Sequence, residues 1–141
     1  MKLYQKMFVT LLLLTSSQAY ADTKSVQCLA KNIYHEARGE PHRGKLAVAQ
    51  VTLNRVNDER FASSICGVVY QPYQFSWTKE HNLKVLDKNA WQESLQIARD
   101  AVKNGVTELE NFNAVYFHST KVKPRWKLHK VAKIGNHVFY N

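Results

Sequence analysis

The chain has 141 residues, 45% of them hydrophobic, with 20 Lys or Arg against 11 Asp or Glu and a formal net charge of +9. That length makes one domain with a real but modest core, and it holds no internal repeat, no low-complexity tract and no apolar segment long enough to span a bilayer stably. The basic balance suits an anionic partner, which for an exported chain is cell wall or membrane surface, not nucleic acid.

Residues 1–21 read as a secretory leader. Lys2 and Lys6 supply a positive start, Phe8 through Leu14 a short apolar core, and Ala19-Tyr20-Ala21 a small-x-small cleavage site. A mature chain would then begin at Asp22 and carry +7 once Lys2 and Lys6 are gone. The cleavage site argues against an uncleaved membrane anchor, and no stable membrane insertion is expected after processing. Cys28 and Cys66 are the chain's two cysteines. In an oxidising compartment an even pair is most simply a disulfide.

Val26, Leu29, Ala30, Ile33, Tyr34 and Ala37 recur at helical spacing, so an amphipathic helix is expected from about Ser25 to Ala37, stopped by Gly39 and Pro41. Glu36 falls beside its apolar stripe. Leu46 to Val56 is apolar nearly all round and reads as a central buried helix ending near Asn54 and Arg55. Ser63 or Ser64 can cap a short helix before Ile65 and Val68. Residues 71–77 form a loop rich in aromatic and amide groups. A helix follows, with Asn89 as its cap, Trp91, Leu95, Ala98 and Val102 as its stripe and Gly105 as its end. Residues 114–118 are extended, 124–126 are loop, and Ile134-Gly135-Asn136-His137 turns the chain before Val138-Phe139-Tyr140. The pattern is α+β and mostly helical: a single domain with a small β or irregular lobe and a cleft between the parts.

Chemistry is narrowed by spacing. His35-Glu36 opens an H-E-x-x-H zinc motif, but position 39 is Gly39. His42, His81, His118, His129 and His137 lack compact ligand spacing, and a composite of Glu36 with His118 and His137 is the remaining metal alternative; neither metal nor cofactor is expected. Ser76 lacks the Gly-x-Ser-x-Gly turn of an exposed nucleophile. The carboxylates carry more. A partly desolvated Glu36 at a helix end suits a general acid. Glu40, the nearest second carboxylate in sequence, is better read as the salt-bridge partner of Arg38 or Arg43. One glutamate is enough to break a glycosidic bond when the sugar's own hydroxyl attacks in place of water. Tyr73, Phe75, Trp77, Tyr116 and Trp126 offer rings for sugar faces, and Asn54, Gln74 and Ser76 offer polar groups.

The run Ile33-Tyr34-His35-Glu36-Ala37-Arg38-Gly39-Glu40-Pro41, preceded by Cys28-Leu29-Ala30, resembles the SleB-type cell wall hydrolase family. The likeness continues through Gly44, Ala47-Val48-Ala49-Gln50-Val51, Asn54-Arg55-Val56, Cys66-Gly67-Val68-Val69-Tyr70 and Gln74-Phe75-Ser76-Trp77. It extends through Tyr116-Phe117-His118, Val122-Lys123-Pro124-Arg125-Trp126 and Ile134 to Tyr140, and so covers nearly all of residues 22–141. Asn113-Ala114 departs from the family's usual Gly-Ala.

The resemblance implies a lysozyme-like, lytic transglycosylase-like fold, peptidoglycan as partner and Glu36 as catalytic glutamate. Arg38 and Glu40 would then shape the site, and Gln74, Phe75, Ser76, Trp77, Tyr116, His118 and Trp126 would line it. An exported, wall-associated monomer, periplasmic or secreted, is the matching expectation. Cleavage of the N-acetylmuramoyl-L-alanine amide, an activity some relatives have been labelled with, and wall binding without catalysis are the alternatives.

Overall fold

The structure, a computed structural model, describes the backbone of residues 2–141 and the side chains of residues 19, 20 and 22–141. The expected leader, apart from Ala19 and Tyr20, lies outside the residues described with side chains. Among the described residues no helix is long and apolar enough to cross a membrane.

Helix α1 spans Lys2–Ala37, and its buried face begins near Cys28. Leu29, Ala30, Ile33 and Tyr34 fill it, at the spacing that predicts a helix here. The helix ends where Gly39 and Pro41 interrupt it: the Glu40 amide turns back to Ala37 O, and Pro41 O accepts from Gly44 and Lys45 as α2 (His42–Val56) begins. Helix α2 is central, with Ala47, Val48, Ala49, Val51 and Thr52 fully buried. It lies against α1, the short α3 (Ile65–Val69) and α4 (Lys88–Asn104), and α1 also packs on α4.

Ser64 caps α3, its Oγ accepting from the Gly67 amide at 3.0 Å. Cys28 and Cys66 form the expected disulfide, which ties α1 to α3. Helix α4 begins earlier than its sequence suggests. Its cap is Asp87, which accepts from the Ala90 amide at 2.9 Å, and Asn89 lies inside the first turn. Tertiary contact makes the choice: the Tyr34 hydroxyl accepts from the Leu86 and Asp87 amides, both at 3.1 Å, and holds the chain's entry at Asp87. Residues 71–77 are loop as far as Phe75. Ser76–Lys79 then close one 3-10 turn, because the Glu80 amide reaches Trp77 O and the Thr78 hydroxyl reaches Phe75 O.

The β lobe is a three-stranded antiparallel sheet of β1 (Tyr116–Ser119), β2 (Lys130–Ile134) and β3 (His137–Tyr140), in the order β1-β3-β2. Tyr116 pairs with Tyr140 and Phe117 with Phe139, while β2 carries a bulge between Lys130 and Ala132. The last strand is therefore central, and its fully buried Phe139 enters the helical core beside Leu29, Ile33 and Val48. The fold is α+β and mostly helical, as expected. At the departure Asn113-Ala114 the backbone needs none of glycine's freedom: among the described non-glycine residues positive φ falls at Tyr73 and Asn111, not at Asn113.

Gly135 does need it. Its φ is +56°, and a Cβ there would run into the Glu40 carboxylate and the Pro41 ring. Gly135→Ala should lower stability by about 2 kcal/mol or more, read as a fall in Tm, because a strained φ and a steric clash coincide. The disulfide closes a loop between residues 38 apart. Reduction should cost about 4 kcal/mol in denaturant unfolding, on the loop-entropy account.

Candidate active site

Glu36 lies on the last turn of α1 and is half-buried. Its side chain accepts no hydrogen bond among the described residues. Burial pushes its pKa from 4.5 up to about 7, against the opposing pull of the Arg55 charge. The carbonyl end of the helix dipole acts in the same direction as burial. A carboxyl group in this state keeps its proton near neutral pH and can give it to a leaving group.

Arg55 is the positive charge that Glu36 senses. It is 4% exposed, on the same buried face of α2 as Val48, Val51 and Thr52. Its Nε donates to Val115 O at 2.7 Å, and its guanidinium lies 4.9 Å from the Phe61 ring, 5.3 Å from Phe75 and 5.9 Å from Tyr116. Burial lowers its pKa to about 10, opposed by Tyr116 and Glu36. Its Nη1 is buried without a hydrogen-bond partner. In the sequence Arg55 marks only a helix end. The available signal is a charge on an otherwise apolar helical stripe, which must be compensated when the helix is buried.

Glu40 does not pair with Arg38 or Arg43. Its Oε2 accepts from the Asn136 amide at 2.8 Å and clasps the α1–α2 corner to the β2–β3 turn. The backbone amide wins because Gly135, lacking a Cβ, lets the turn approach the carboxylate. Arg38 is exposed, with its guanidinium 5.2 Å from the Tyr34 ring.

The sequence-expected ring residues divide into two groups. Trp77 stacks on His35, with ring centres 4.7 Å apart and planes at 28°, and its indole nitrogen donates to the buried Asn32 at 3.0 Å. It is therefore held in a fixed orientation against the last turns of α1, the helix that carries Glu36. Phe75, expected to line the site, is only 3% exposed and packs on Phe117 and Arg55. It is floor beneath the site and has no free face for a sugar. Asn54, expected as a polar contact, is likewise consumed: it donates to Phe112 O and Ala114 O and accepts from Gln50. Gln74 is half-buried and Ser76 exposed, and neither side chain is hydrogen-bonded among the described residues. Tyr73 is 87% exposed, beside Lys79.

Across Arg55 stand the sheet residues. The rings of Tyr116, His118 and Tyr140 lie 6.1, 5.4 and 5.7 Å from Trp126. His118 Nδ1 is 2.8 Å from Ser119 O, which only accepts, so Nδ1 donates there, and Nε2 lies 3.0 Å from the Tyr140 hydroxyl. His137 is buried, which lowers its pKa. Among the described residues no three of His, Cys, Asp and Glu assemble into a ligand set, the composite of Glu36, His118 and His137 included.

The family model for cell wall hydrolases matches residues 39–140. The spore cortex-lytic enzyme of Oceanobacillus iheyensis is 32% identical over 126 residues, covering 86% of this chain and 43% of that protein. That of Bacillus subtilis is 32% identical over 118 residues, covering 81% and 36%. The chain thus spans less than half the length of these relatives. A solved structure, the catalytic domain of the germination-specific lytic transglycosylase SleB from Bacillus anthracis, superposes with a TM-score of 0.69 at 28% identity, covering 83% of this chain and 93% of that domain. The match along nearly the whole β lobe and α2–α4, together with these relatives, means that the chain belongs to the cell wall hydrolase family.

Proposed function

We propose that this protein cleaves the glycan strand of peptidoglycan as a lytic transglycosylase, with Glu36 as its single catalytic acid and base. The observation that carries this reading is Glu36 itself, half-buried with its pKa raised to about 7, while Glu40 is occupied by the Asn136 amide. The naming of the similar catalytic domain from Bacillus anthracis as a lytic transglycosylase supports it.

In the first step protonated Glu36 gives its proton to the glycosidic oxygen as the C1–O bond breaks. The resulting carboxylate then takes the proton of the same sugar's C6 hydroxyl as that oxygen bonds to C1. The product is a 1,6-anhydro end, and Glu36 is returned protonated. Buried Arg55 steadies the carboxylate between the two steps. Trp77, held between His35 and Tyr70, presents its exposed edge to the sugar, and Tyr116 and Trp126 supply the rings of the sheet side. Gln74 and Ser76 contact hydroxyls, His118 lines the sheet side beside Trp126 with both nitrogens engaged, and Arg38 and Glu40 shape the entrance. The leader at 1–21 takes the protein out of the cytoplasm, and it works at the wall, periplasmic or secreted, as a monomer.

Purified peptidoglycan treated with residues 22–141 should release anhydro-muramic ends, seen by mass spectrometry. Glu36→Gln should lower that rate by about 10²–10⁴-fold. Reducing ends would instead mean hydrolysis by water, and free stem peptides an amidase. Activity should fall as pH rises through about 7, where Glu36 loses its proton. The same raised pKa has a stability signature. The proton bound by folded Glu36 stabilises the native state fully below the unfolded pKa of 4.5, and that contribution is lost as pH rises through about 7. Glu36→Gln should therefore gain on the unaltered protein by about 2–3 kcal/mol between pH 4.5 and 8 in denaturant unfolding.

A further inference from the structure

The positive charge of this protein is not spread over its surface. Residues 22–110 hold twelve Lys or Arg against eleven Asp or Glu and are close to neutral. Residues 111–141 hold six, Lys121, Lys123, Arg125, Lys127, Lys130 and Lys133, and no acidic residue at all. Four of the six lie in the connection between β1 and β2. All four are exposed, and among the described residues none of them is in an ion pair. A solvated face with no function would carry both signs interspersed, as the helical part does.

The position of this connection is set by Trp126. Its ring lies against Tyr116, His118 and Tyr140, which draws the loop back over the sheet. Tyr116 in turn faces Arg55, the charge beside Glu36. Arg125 and Lys127 flank Trp126, so the cations rim the candidate site on its sheet side. Trp126 rests on three rings, yet it and its loop neighbours Val122 and Leu128 stay exposed, so an anionic membrane surface is the rival occupant that the vesicle titration below separates.

From this placement we propose that the β1–β2 loop, through Lys121, Lys123, Arg125 and Lys127, binds the carboxylates of the peptide stems that branch from the glycan strand, so that the enzyme selects strands still bearing acidic stems. This rests on the cleavage reading above and adds a specificity to it. N-acetylglucosamine is neutral and a muramic residue stripped of its stem keeps one lactyl carboxylate, whereas an intact stem carries several carboxylates that reach outward, so the stems are the denser, regularly spaced anions such a rim would meet along the strand. Exposed pairs of this kind are individually weak and salt-screened, so the selection should come from several acting together.

The test compares soluble glycan strands of matched length, with stems intact or removed by an amidase, titrated calorimetrically against the Glu36→Gln form, which cannot consume them. Binding should be about tenfold weaker to stripped strands at low salt, and the difference should vanish at high salt. A variant with Lys121, Lys123, Arg125 and Lys127 all changed to Gln should bind both strands equally, at the weaker level. Equal affinity of the unsubstituted loop for both strands would overturn the proposal. So would tighter binding to phosphatidylglycerol vesicles than to intact strands, which would assign the loop to a membrane surface. Cleavage is read separately with active enzyme: anhydro ends formed equally fast from both strands sink the loop's role while sparing the transglycosylase reading, and their absence from both sinks the transglycosylase reading while the binding difference still reports on the loop.

Discussion

The guanidinium of Arg55 is buried where the helices meet the sheet, donating to Val115 O and enclosed by Phe61, Phe75 and Tyr116. An unpaired charge in such a place is costly, so every group around it is constrained to compensate. Val115 must present its carbonyl, which sets where β1 starts. The rings must present their faces, which sets the floor of the site. Glu36 must stay near, which gives its carboxylate a counter-charge in surroundings that otherwise favour the proton. Acid strength at Glu36 is therefore a compromise between burial and one fixed cation.

Two smaller clasps hold the two lobes in register around that charge. Glu40 receives the Asn136 amide from the β2–β3 turn, and Asn54 holds the carbonyls of Phe112 and Ala114 just before β1. Each uses a polar side chain of the helical lobe to satisfy backbone groups of the other lobe that pairing in the sheet leaves over. The disulfide from Cys28 to Cys66 fixes α1 from the far side. The helix bearing Glu36 is thus fastened before, at and beyond the glutamate, a preorganisation that the proposed reaction, with one carboxyl group in both proton transfers, would need.

Much of this was legible in the chain. The stops at Gly39 and Pro41, the apolar run of α2, the Ser64 cap, the turn at Gly135 and the cysteine pairing follow from local rules, and the structure follows them. Where local rules offered two acceptable choices, distant contacts decided. Asp87 and Asn89 are both good caps, and Tyr34 from α1 selects Asp87. Arg38, Arg43 and the Asn136 amide are all acceptable donors for Glu40, and the missing side chain of Gly135 selects the amide.

The same division runs through the candidate site. Residue types, order and spacing were enough to single out Glu36, the Gln74-Phe75-Ser76-Trp77 loop and the aromatic β lobe, because helical periodicity and helix-stop residues act over a few positions. They could not tell a ring that faces a ligand from one that faces the core: Phe75 and Trp77 are two residues apart, yet Phe75 is floor and Trp77 is wall. Nor could they reveal that Arg55, 19 positions along the chain and on another helix, sets the charge beside Glu36. Burial and electrostatics depend on distance in space, and which residues become neighbours across the interface of helices and sheet is settled only when the two lobes pack.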